Sequence, residues 1–83
     1  MDADDITDPT PTPAPVRVWT LSKGDRTATC DAQAHVLGVE LVSEVDGDVR
    51  RTEVARTAPA GQALAETWRQ AFMAKGWQPR PTA

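Results

Sequence analysis

The hydrophobic period of this chain changes once, near Arg56, from two to about 3.6, and that switch restricts the fold to strands followed by one helix. Before it, Val16 to Ser22 alternates as a strand does, with Trp19 and Leu21 on one face and Val16, Val18 and Thr20 on the other. Lys23-Gly24-Asp25-Arg26 reads as a turn, with Gly24 free to take a positive φ. If Ser22 pairs with Thr27 across it, Leu21 lies opposite Ala28 and Trp19 opposite Cys30. Two large side chains then face two small ones, which leaves room for bulk from another element.

The strongest hairpin signal is Val45-Asp46-Gly47-Asp48-Val49, an Asp-Gly pair between β-branched residues. A two-residue turn there predicts Leu41 opposite Thr52 and Val39 opposite Val54, all four on the inner face. The same register sets Glu40 against Glu53, a like-charge pair that a one-residue bulge would relieve. Between the hairpins, residues 31–38 read as strand then loop, because Ala28, Cys30, Ala32 and Ala34 keep the period of two; a short helix capped by Asp31 is the alternative.

After Arg56 the signals are helical. Thr57 is a candidate N-cap, Pro59 suits a first turn, and Leu64, Trp68, Ala71, Phe72 and Lys75 follow helical spacing. Gly76 is placed to end the helix, with Trp77 folding back on its last turn, and Pro79 and Pro81 bar continuation. Leu64, Trp68 and Phe72 would supply the bulk for which the Ala28/Cys30 strand leaves room.

The expected fold class is therefore α+β: an antiparallel sheet of three to four strands from two hairpins, with one C-terminal helix packed on one face. Its expected domains are a disordered acidic Pro/Thr-rich tail (1–15), the folded unit (16–78) and a disordered C-terminus (79–83). The tail alternates proline with small residues without the spacing that SH3-type grooves read, which makes it a semi-rigid spacer. A unit of roughly 60 residues is near the lower limit for folding alone. One cysteine, Cys30, permits no internal disulfide and points to a reducing compartment, and the single His and scattered carboxylates lack metal-site spacing. Self-association is the stabilising device that remains. With no run near the ~20 apolar residues of a membrane span and no signal-peptide pattern, the expected location is cytoplasmic.

Charge narrows the function classes further. Of 12 acidic residues, four (Asp2, Asp4, Asp5, Asp8) lie in the tail, leaving 12 − 4 = 8 against all nine Lys and Arg. A nearly neutral domain lacks the basic excess on which most nucleic-acid binders rely.

Candidate catalytic groups have simpler readings. His35 alone titrates near neutrality, but no nucleophile motif accompanies it, and it reads as a loop histidine. Cys30, flanked by inward Ala28 and Ala32, reads as a small buried hydrophobe rather than a reactive thiol. Glu40 and Glu53 read as solvated rather than as a catalytic carboxylate pair. No enzyme activity, cofactor, metal or small-molecule substrate is expected.

The surface opposite the helix is the more informative feature. It is expected to carry Val18, Val42, Val49, Thr20 and Thr29, together with Arg51, Glu40, Glu44 and Glu53, and a single helix can cover only the other side. The leading expectation is a non-enzymatic interaction protein, acting through Val18, Thr20, Val42, Val49 and Arg51 or through an edge strand, as a homodimer. The alternatives are a nucleic-acid-binding regulator using Arg50, Arg51 and Arg56, and a phage or defence-related inhibitor that covers a partner's surface.

The pattern Trp19-x-Leu21-x-Lys23, then Gly38-x-Glu40-Leu41, then Gly47, Val54 and Arg56, and finally Trp68-Arg69 with Gly76-Trp77, resembles a group of small bacterial proteins of undescribed function. The likeness covers Val16 to Trp77 and consists of turns, core and helix ends. It implies the hairpin sheet and C-terminal helix and carries no activity.

Overall fold

Across residues 14–80, which the computed structural model describes, three two-residue turns lay four strands side by side: β1 (Val16–Lys23), β2 (Arg26–His35), β3 (Gly38–Val45) and β4 (Asp48–Ala55). The helix α1 (Ala58–Met73) follows, and the chain returns as β5 (Gln78–Arg80) on the free side of β1. The sheet is antiparallel in the order β4-β3-β2-β1-β5. It thus has five strands where the sequence pattern gave three to four, because the residues expected to begin a disordered C-terminus at Pro79 pair with Leu21 and its neighbours. Pro79 is tolerated there because an edge strand can spare a donor. The expected tail lies outside the described residues as far as position 13.

Local chemistry accounts for these elements. Asp46 and Gly47 both take positive φ, 53° and 85°, as a type I′ turn requires. The Asp46 carboxylate accepts from the Thr27 amide at 2.9 Å and from Arg26 Nε at 3.1 Å, tying this turn to the start of β2. Residues 31–38 form strand as far as His35 and then a tight turn, so the helical alternative does not occur. Gly38 follows at φ 147°, where an added Cβ would lie 2.1 Å from the Ala55 carbonyl oxygen. At the helix start the Thr57 hydroxyl accepts from the Ala60 amide. At its end Gly76 N–H reaches Met73 O, and Trp77 N–H reaches Phe72 O, which is the Schellman pattern. The Trp77 and Phe72 rings meet edge-to-face at 5.3 Å.

The first hairpin keeps the expected register from Ser22↔Thr27 to Trp19↔Cys30. Ala28 and Cys30 are fully buried, and the space above them takes Trp19, Leu21 and Trp68. Trp19 Nε1 donates to the Ala65 carbonyl at 2.9 Å, which fixes the height of the helix over the sheet. Its deepest positions are Gly61, Ala65 and Trp68, whereas Leu64, expected in the stripe, is half-buried. The reason is proximity. A Cβ on Gly61 would sit 3.7 Å from the Val39 and Ala55 side chains, an ordinary van der Waals contact, so the first half of the helix meets the sheet through its smallest side chains.

Two β-bulges alter the expected faces. One falls at Val18, between the pairs Arg17↔Asp31 and Trp19↔Cys30; the other falls at Arg50, between Ser43↔Arg51 and Glu44↔Val49. Each adds a residue to one strand and reverses the parity beyond it. Leu41 therefore faces Glu53 rather than Thr52, and Val39 faces Ala55 rather than Val54. Thr52 and Val54 leave the inner face. Glu40 now lies opposite Val54, so the bulge separates Glu40 from Glu53 onto opposite faces.

Candidate functional site

The same bulges decide which side chains gather. Val16 and Val18, expected on the outer face, turn to the helix side and line an apolar groove of about 290 Å³ with Ala32, Val39 and Ala65. Arg51, also expected outside, lies on the helix side with its guanidinium 5.1 Å from the centre of the Trp68 ring. Of the expected interaction set, Thr20, Val42 and Val49 remain on the outer face, paired with Thr29, Thr52 and Glu44. Asp31, Glu40 and Glu44 share that face, with Arg17 paired to Asp31.

Around the C-terminal half of α1 lies a second groove, of about 390 Å³. Its floor is aromatic: Trp68 and Trp77 are buried, and Phe72 sits between Trp77 and Trp19. Its rim is cationic. Arg50 and Arg51 come from the bulge in β4, Arg26 from the start of β2 and Lys75 from the helix end, and no carboxylate lines it. Of these four, only Arg26 has an ion-pair partner among the described residues, Asp46 at 3.1 Å. Arg26 also lies 5.8 Å over the Trp77 ring, so two guanidinium groups rest on indole faces at the groove edge. Such stacking leaves the N–H groups of the planar forks free.

Two polar atoms of residues lining this groove are unpaired. Ser43 Oγ and Trp68 Nε1 are buried and have no hydrogen-bond partner among the described residues. Their residues are only 2% and 3% exposed. A buried unpaired donor costs roughly 1–3 kcal/mol, so these two are a sizeable debit in so small a domain. Ser43 lies directly across the ladder from Arg51, which covers Trp68, and the three form one contiguous cluster.

The expected nucleic-acid set divides. Arg50 and Arg51 join the groove, whereas Arg56 follows the opposite end of β4, beside Gly38. Sequence alone does not mark Arg26, Lys75 or Ser43 as site residues: Arg26 reads as part of a turn and Lys75 as part of a helical period, and nothing sets Ser43 apart. The available signal is the Glu40/Glu53 clash: a bulge that relieves it between the turn and Arg51 also moves Arg51 to the other face.

The other candidates are accounted for locally. Burial, and then the neighbouring Asp31 charge, push the Cys30 thiol up to about 11, away from thiolate chemistry. His35 Nδ1 accepts from the Leu37 amide within the turn. Among the described residues no helix is long and apolar enough to cross a membrane, and no three His, Cys, Asp or Glu side chains gather as a metal site would need. The chain matches no protein-family model, no curated protein and no solved structure.

Proposed function

We propose that this protein is a non-enzymatic interaction module that grips an acidic segment of a partner protein in the groove between α1 and β4. The observation that carries this reading is the convergence of Arg26, Arg50, Arg51 and Lys75 on an aromatic-floored groove without a lining carboxylate, in a domain whose net charge is nearly zero. A nucleic acid presents phosphates along an extended track, and its binders spread their cations accordingly. Here four of the nine Lys and Arg gather in one groove, Arg56 lies apart from it, and the opposite sheet face carries Asp31, Glu40 and Glu44. A short acidic peptide fits that compact distribution better.

The test is a titration, at low and moderate salt, with a Glu-rich peptide and with a single-stranded oligonucleotide of matched charge. The peptide should bind saturably and Arg51→Ala should weaken it, whereas tighter retention of the oligonucleotide would overturn the reading. A second reading, a homodimer through the outer sheet face, is favoured by the absence of any layer over Thr20, Val42 and Val49 among the described residues. Sedimentation equilibrium checks it: a monomer at high micromolar concentration removes it.

A further inference from the structure

We infer that the acidic segment is read through a phosphorylated side chain, whose phosphate monoester seats where Ser43, Arg51 and Trp68 meet. This inference rests on the reading of the groove just given and names the chemistry that the groove selects. The unpaired groups there are all donors or able to donate: the Arg51 guanidinium, the Trp68 indole N–H and the Ser43 hydroxyl. They come from three directions, the edge strand, the helix and the sheet floor. A carboxylate offers two oxygens in one plane, and a single guanidinium fork can engage both. That would leave Ser43 and Trp68 still unpaired. A phosphate monoester offers three terminal oxygens in a tetrahedral array, one for each direction of approach.

Charge points the same way. Setting Arg26 against Asp46 leaves Arg50, Arg51 and Lys75 without an ion-pair partner among the described residues, a surplus suited to a dianion rather than a single carboxylate. Arg51 is exposed, and its side chain lies over the buried indole. By swinging aside it admits the ion to the buried donors, and by returning it closes over it. The penalty of the two unpaired groups is thus relieved only in the complex, which makes binding selective for the group that satisfies both.

The experiment uses the full chain and three probes: a short Glu/Ala peptide with one phosphoserine, the same peptide unphosphorylated, and inorganic phosphate. Calorimetry should show the phosphopeptide binding at least tenfold tighter than its unphosphorylated form, with the Trp68 indole N–H resonance moving downfield on binding. Ser43→Ala and Arg51→Met, each checked for native circular dichroism, should each remove most of that tenfold advantage. Equal affinity for the two peptides overturns the phosphate inference and upholds the acidic-segment reading. Binding of neither peptide overturns both. Inorganic phosphate binding as tightly as the phosphopeptide overturns the assignment to a modified segment, as does a Ser43→Ala protein that keeps the full phosphate preference.

Discussion

The two halves of the helix-bearing face are built on opposite rules. Under the first half of α1 the residues are small and apolar: Gly61 and Ala65 ride close over Val39, Ala32 and Ala55, and the one polar group that enters, Trp19 Nε1, finds the Ala65 carbonyl. Under the second half the residues are large, two indoles and a phenyl ring hold the helix off the sheet edge, and Ser43 Oγ and Trp68 Nε1 stay unpaired beside a cationic rim. The first half is fully satisfied and serves stability. The second carries unsatisfied donors, as binding sites commonly do at some expense of stability.

That contrast can be broken by substitution. The largest effect is expected for Trp19→Ala, which removes both the bulk over Cys30 and the bond that sets the helix height, at about 3–5 kcal/mol; urea denaturation should find little folded protein. Next comes a matched pair. Ala65→Leu enlarges a buried side chain where the helix rests on the sheet and should lower stability by about 1–3 kcal/mol, whereas Ala71→Leu projects from an exposed position into the cationic groove and should change stability by less than about 0.5 kcal/mol while abolishing peptide binding. Equal losses for the two would erase the distinction between the halves. Smaller still, Ser43→Ala deletes an unpaired hydroxyl and should raise stability by up to about 1 kcal/mol, read as a later urea midpoint.

The weakest effect is electrostatic and sits at the border of the groove. The Thr27 amide, and then Arg26, hold the Asp46 carboxyl below the usual carboxylate range. A depressed folded-state pKa gives stability that is fully present above the unfolded value, near ~4, and is lost as pH falls through the folded value. Thermal melts from about pH 5 downward should therefore show a drop in Tm that Asp46→Asn flattens.

Much of the fold was legible because it depends on neighbours in sequence. The Asp46-Gly47 turn, the Thr57 cap and the Gly76-Trp77 ending each declare themselves within a few residues. The Trp19/Cys30 pairing follows from counting outward from a turn of known length. The fifth strand was not legible, since three residues containing a proline carry no period and gain their partners only when the helix returns the chain to β1. The groove was hidden for a related reason. A bulge moves one residue by a fraction of a turn, yet it reverses every position beyond it, so Arg51 and Val18 were assigned to the wrong face by an alternation that is otherwise sound.

The order of strand and helix, the Gly24-Asp25 and Asp46-Gly47 turns, the helix ending and the pairing of large side chains with small ones follow from the amino-acid order alone, because backbone preference and hydrophobic period act over short distances. Which cations share a groove, and which buried donors go without partners among the described residues, is set by the packed fold. Those depend on the bulges and on the helix's height over the sheet, both settled by packing between residues far apart in the chain.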